Sequence, residues 1–202
     1  MKQVYLLTEG YAIYKDDFWQ ASSSAVLVDV DGYKILIDPG ANEKALVDSL
    51  KQLSICADEI DMIFLTHKHL DHLALLSMFT NVPICDGSTL LQGDNMTICS
   101  KYVPQTDIEI IHTPGHCHEH YSLLVQTPQK AVAIAGDLFW WQAKQKPEDM
   151  INAEDPLAVD TELMIINRKT ICERAEVIIP GHGKPFLTSD FSEFIVDKGG
   201  IL

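Results

Sequence analysis

No C-x-x-C pair, no apolar run of membrane-spanning length and no excess of basic residues occurs in this 202-residue chain. Each absence removes a class of function. The five cysteines (Cys56, Cys85, Cys99, Cys117, Cys172) are scattered and odd in number, which argues against a disulfide framework and predicts free thiols in a reducing compartment. The opening MKQVYLLTEGYAIYKDD lacks the sustained apolar core of a secretory signal, and nothing later approaches the roughly 20 apolar residues that a bilayer requires. A cytoplasmic protein with no membrane partner is the expectation. Lys and Arg number 15 against 29 Asp and Glu, a net charge of −14. Long nucleic acids are gripped through phosphate contacts from Lys and Arg, so this balance argues against such a partner. A small anionic substrate stays open, because bound metal ions can dominate a local field.

What is present is an ordinary globular composition, 47% hydrophobic and 22% charged, in a chain long enough to bury a core without covalent staples. Val26 to Val28 and Lys34 to Ile37 read as two strands around an Asp31-Gly32 turn, stopped by Asp38-Pro39-Gly40. Asn42 can cap a helix carrying Leu46, Leu50 and Leu53 on one face. Met62 to Leu65 has the continuous apolar character of a buried strand, and a helix through Leu73, Leu76 and Phe79 is expected beyond it. The latter half repeats the outline. Tyr121 to Val125 and Ala131 to Ala135 flank a Thr127-Pro128-Gln129 turn and end at Gly136-Asp137. Asp155-Pro156 reads as a helix start, with that helix running to about Arg174 and feeding a strand over Val177 to Ile179. One domain over 1–202 is expected, made of two similar halves, roughly 1–110 and 111–202, with β-rich layers inside and helices outside.

Five of the eight histidines fall in strand-end loops that also hold aspartates. The densest group is His67-x-His69-x-Asp71-His72. Its spacings are not the i, i+3 or i+4 that a helix would need to align side chains, so convergence there requires irregular backbone. Imidazole and carboxylate together suit zinc, with iron or manganese as alternatives. Thr113-Pro114-Gly115-His116, Gly136-Asp137 and Pro180-Gly181-His182-Gly183 each set one more ligand-type side chain beside glycine at a strand end.

In order and context these motifs resemble the metallo-β-lactamase superfamily over nearly the whole length, and RKTICERAEVIIPGHGKPF is also reminiscent of one compact subgroup within it. The resemblance implies an α/β fold, the four-layer αβ/βα sandwich of that superfamily, holding two divalent metal ions per chain, zinc first. His67, His69 and His116 resemble the three imidazole ligands of one ion; Asp71, His72 and His182 resemble the ligands of the other; Asp137 resembles the bridging carboxylate. The β-lactamases themselves commonly carry Cys where Asp137 stands, so the resemblance points away from β-lactam hydrolysis and toward thioesterase-, lactonase- or phosphodiesterase-like members. Asp38 and His120 resemble residues that support the ligands from behind.

The implied chemistry is hydrolysis of a small or medium ester, thioester or lactone, with Asp71 as the catalytic carboxylate that orients the attacking water. Phosphodiester hydrolysis would use the same ligands. A mononuclear iron persulfide dioxygenase is the reading from another class, and it would leave the second ligand group without a purpose. The hairpin around Asp16 to Ser24 and the segment Leu138 to Asp155 remain for substrate recognition, with Trp140 and Trp141 as pocket walls; Asn152, Arg168 and Lys184 are further residues within reach of that role. His112, His118 and Cys117 are read as carrying no chemistry. A homodimer is the base-rate expectation for a soluble enzyme.

Overall fold

Apolar residues adjacent in sequence end in different cores, and that alternation builds the molecule. In the computed structural model, which describes residues 1–140, 150–189 and 191–192, β4 (Ala25–Val30) and β5 (Tyr33–Ile37) form the hairpin expected around Asp31-Gly32. Both turn residues have positive φ, 53° and 95°, as the primed turns that match strand twist demand. Val26, Val28, Ile35 and Ile37 face one core, while Leu27 and Leu36 face another, which is the period of two that a pleated strand imposes.

Helix α1 (Glu43–Gln52) follows, capped by the Asn42 side chain, which accepts from Ala45 N at 3.2 Å. It buries Leu46 and Leu50 against Leu27, Leu36 and Ile63, then returns the chain to β6 (Met62–Phe64), parallel to β5. With β1 (Lys2–Thr8), β7 (Ile84–Cys85), β8 (Thr89–Gln92) and β9 (Asn95–Ile98), these strands make a sheet in the order β1-β4-β5-β6-β7-β8-β9.

The second sheet repeats the scheme. Its order is β10 (Glu109–His112), β11 (Tyr121–Gln126), β12 (Ala131–Trp140), β13 (Val177–His182), β14 (Phe186–Leu187). Here too an antiparallel hairpin, β11–β12, leads through a helix, α3 (Thr161–Arg174), into a parallel strand, β13. Val132, Ile134, Val177 and Ile179 meet Val28, Ile35 and Phe64 in a core shared by both sheets. Ala133, Ala135 and Ile178 pack the other way, on Met164 and Ile171 of α3. The result is helix, sheet, sheet, helix: the expected α/β sandwich. A separate hairpin, β2 (Tyr11–Lys15) with β3 (Phe18–Ser22), pairs with neither sheet. No helix among the described residues is long and apolar enough to cross a membrane.

Three expectations need correction. The helix through Leu73, Leu76 and Phe79 is only a single turn, α2 (Leu70–Leu73), followed by a 3-10 turn at Leu76–Met78. Tertiary hydrogen bonds take the backbone groups a longer helix would use: Ser23 N donates to Asp71 O at 3.1 Å and Leu75 N to Gly40 O at 3.1 Å. Nor does α3 begin at Asp155-Pro156. Its cap is Asp160, which accepts from Leu163 N at 2.9 Å, because Asp155 is drawn away to a histidine. Finally, β12 does not stop at Gly136-Asp137 but runs on to Trp140, shifting register at Gly136, whose φ is 51°.

Candidate metal centre

The loop His67–His69, the short helix α2, the loop holding His116, the bulged part of β12 and the end of β13 meet where parallel strands of both sheets present their carboxyl ends, the usual place for a site in such sheets. Irregular backbone lets the first loop do this: His67, Lys68 and His69 belong to no helix or strand, and helix geometry starts only at Leu70.

Asp137 occupies the centre. Its Oδ2 faces His116 Nε2 at 3.4 Å and His67 Nε2 at 3.7 Å, while Oδ1 faces His72 Nε2 at 3.2 Å and His182 Nε2 at 3.4 Å. His69 Nδ1 lies 3.0 Å from His116 Nε2, and Asp71 Oδ2 lies 3.2 Å from His182 Nε2. The side chains thus sort into two groups, His67 with His69, His116 and Asp137, and Asp71 with His72 and His182; within each, the donor atoms all lie within 4.8 Å of one another. All seven residues singled out from the sequence are therefore brought together. Gly181 makes the centre possible, since a Cβ there would overlap Asp137 Oδ1.

The remote ring nitrogens are held from behind. His72 Nδ1 is 2.9 Å from Asp38 Oδ2, and Asp38 also accepts from Thr66 N and Thr66 Oγ1. His116 Nδ1 is 2.6 Å from Asp155 Oδ2. His182 Nδ1 is 3.1 Å from the carbonyls of Tyr11 and Ser22, at the base of the β2–β3 hairpin. An Nδ1–H donated to these acceptors leaves the Nε2 lone pair facing inward, as a ligand must present it. His120 is buried beside His67, with Nδ1 on Thr113 Oγ1 at 2.9 Å.

Several inward-facing atoms lack partners. His67 Nε2, His72 Nε2 and Asp137 Oδ1 are buried without a hydrogen bond; they approach one another, but not in bonding geometry. Each such atom costs about 1–3 kcal/mol if nothing satisfies it. A divalent cation in either group would satisfy them, so the donor set fits metal binding.

Charge balance agrees. Burial alone would pull His72 and His182 down, but facing carboxylates outweigh it. His72 stands well above the ordinary 6.5 through Asp137 and Asp38, and His182 rises to about 9 through Asp137 and Asp71. His67 falls well below 6.5, first through burial and then through the His72 charge. Burial would raise Asp137 and Asp71, but the imidazoles of His182 and His72 hold both carboxyls below their ordinary value. With no metal bound, protons on His72 and His182 supply the positive charge these carboxylates require. A raised folded-state value means stabilisation fully present below about pH 6.5 and lost as pH rises through about 9. Chelator-treated protein should therefore melt at progressively lower temperature between pH 6.5 and 9.5, and metal-loaded protein should not. A flat melting profile for the stripped protein would contradict this charge assignment.

Asp155 was missed by sequence reasoning, which took it for a helix cap. Nothing local marks it; the only available signal was the general need of a ligating imidazole for an acceptor on its far nitrogen. Arg168, considered for substrate contact, is instead buried and donates to Leu138 O and Ala153 O, both at 2.7 Å, fastening the segment that carries Asp155. Burial lowers its value to about 10. Asn152 and Lys184 are exposed. His112 Nε2 meets His118 O at 3.0 Å away from the centre. Trp140 is buried with its ring 6.3 Å from that of His182, whereas Trp141 lies outside the described residues.

Residues 19–85 match the profile of the metallo-beta-lactamase superfamily. A Xenopus laevis protein named metallo-beta-lactamase domain-containing protein 1 is 31% identical over 196 residues, 91% of this chain and 80% of that one. The Homo sapiens protein of the same name is 29% identical over 182 residues, and the match spans 83% of this chain but 61% of its own length. A solved quorum-quenching N-acyl homoserine lactone lactonase superposes with a TM-score of 0.60 at 20% identity, over 90% of this chain and 91% of that one, a likeness of fold. Sequence match, sandwich and His/Asp centre agree, and the chain belongs to the metallo-beta-lactamase superfamily, whose members are metallo-hydrolases that use divalent metals.

Proposed function

We propose that this protein is a hydrolase that uses two divalent metal ions, zinc in the first place, to cleave a small or medium ester, thioester or lactone. The observation that carries the reading is the division of Asp137: one carboxylate oxygen faces His67 and His116, the other His72 and His182. A carboxylate so divided suits a bridge between two ions. His67, His69, His116 and Asp137 would hold one ion; Asp71, His72, His182 and Asp137 would hold the other. Such a pair supplies Lewis acidity and lowers the pKa of a water to near 7.

The chain's own residues do the rest. Asp71 is the most open of the carboxylates at the centre, with a side chain 25% exposed, and it lines the adjoining cavity. It would take a proton from the attacking water as the water oxygen bonds to the acyl carbon, then return that proton to the leaving oxygen or sulfur as the acyl–oxygen or acyl–sulfur bond breaks. Asp38, Asp155 and the Tyr11 and Ser22 carbonyls keep the imidazoles aimed. That a neighbour in fold is named as a lactonase supports lactones among the candidates.

Metal analysis of protein purified without chelator, followed by assay of a thioester, a lactone and a chromogenic phosphodiester, tests the reading. Two zinc per chain with acyl-bond cleavage is the expected result. One iron per chain, or turnover of the phosphodiester alone, would overturn it.

A further inference from the structure

Resting on the hydrolase reading above, we propose that the non-reacting part of the substrate is an uncharged apolar tail, an alkyl or acyl chain, seated between the β2–β3 hairpin and the side chains of Leu70, Trp140 and Leu157. The cavity beside the metal centre encloses about 510 Å³, within the ordinary range for small-molecule sites. Its floor is polar, formed by His69, Asp71, Asp137 and His182, and its walls are apolar.

Those walls are not explained by packing. Leu70 is 78% exposed although it stands between two ligand residues, and Leu157 and Trp19 are 57% and 42% exposed. Core-facing leucines are normally buried; three large apolar side chains left to water around one polar floor make a surface that an apolar ligand would cover. Ala12 and Ala21, paired across the hairpin, leave a shallow groove between them and the Trp19 wall.

The direction of the tail follows from the aromatic rings. Tyr14 meets Trp19 at 5.1 Å between centroids, Trp19 meets Trp140 at 6.0 Å edge-on, and Trp140 meets the His182 imidazole at 6.3 Å. A reactive carbonyl at the metal centre therefore has a continuous aromatic path leading outward along the hairpin. None of the described lining residues is Lys or Arg, so the cavity they form has no cationic side chain with which to grip a phosphate-bearing tail. The hairpin is also fastened to the chemistry, because the carbonyls at its base hold His182.

Trp19 and Trp140, two of the three tryptophans, line the cavity, so intrinsic fluorescence reports on it independently of turnover. Titration of chelator-treated protein with butyramide, hexanamide and octanamide should show Kd falling about two- to fourfold per added methylene. W19A should weaken octanamide about tenfold, and L157A, a change on an exposed loop, should weaken it several-fold. With zinc-loaded protein, kcat/KM for p-nitrophenyl butyrate, hexanoate and octanoate should climb in parallel, and W19A should compress the octanoate-to-butyrate ratio. Ester cleavage and amide binding both independent of chain length would overturn the tail site while leaving the hydrolase reading standing. Chain-length-dependent amide binding with no hydrolysis of any ester would do the reverse.

Discussion

Replacement of Asp137 by Ala is expected to lower kcat/KM by at least about 10³-fold and to release metal from both groups, since loss even of a partner behind a ligand costs about 10–100-fold. The reason is positional. Among the described residues Asp137 is the one side chain whose two oxygens face separate imidazole pairs, so its removal takes the shared carboxylate from four buried histidines. Asp71→Ala should behave differently: the His67, His69 and His116 group keeps its carboxylate, so one ion should be retained while turnover collapses. Metal content after dialysis, read beside circular dichroism to establish that both variants fold, separates the two. An Asp137→Ala protein that kept two ions and a tenth of its activity would remove the basis of the two-metal reading.

The second large effect concerns Asp155. Asp155→Ala should weaken zinc binding about 10–100-fold, although no ion would touch this residue. Its Oδ2 holds His116 Nδ1 at 2.6 Å and its Oδ1 accepts from Leu157 N at 2.8 Å. One carboxylate therefore orients a ligand and pins the loop that walls the cavity. Burial would raise Asp155, yet the His116 contact keeps it below the ordinary carboxylate value. Asp155→Asn keeps the shape, but if its one acceptor oxygen serves Leu157 N, its amide N–H faces His116 Nδ1–H, so it should recover little of the affinity. Competition with a chromophoric zinc chelator measures all three proteins. Equal affinities would show that His116 needs no such support.

Much of this was legible before any coordinates. The alternation of Val26, Leu27 and Val28 between two cores follows from strand geometry. The Asp31-Gly32 turn follows from the φ values those residues tolerate, and the Asn42 cap from its place before an amphipathic run. The density of ligand types in His67 to His72 exposed the centre, because those residues are neighbours along the chain as well as in space.

Sequence by itself determined which faces of β4, β5 and α1 turn inward and which loops carry ligand chemistry, because both are set by neighbours a few residues away. Only the tertiary structure decided that Asp155 belongs to His116, 39 positions earlier, that α2 ends after one turn, and that Leu70, Trp19 and Leu157 share a wall. The physical reason is common to all three. Ser23 and Gly40 take backbone partners from α2, and Arg168 fixes the 150–155 segment, through hydrogen bonds between distant segments whose strength depends on ångström-scale approach, and no periodicity in the chain encodes that approach.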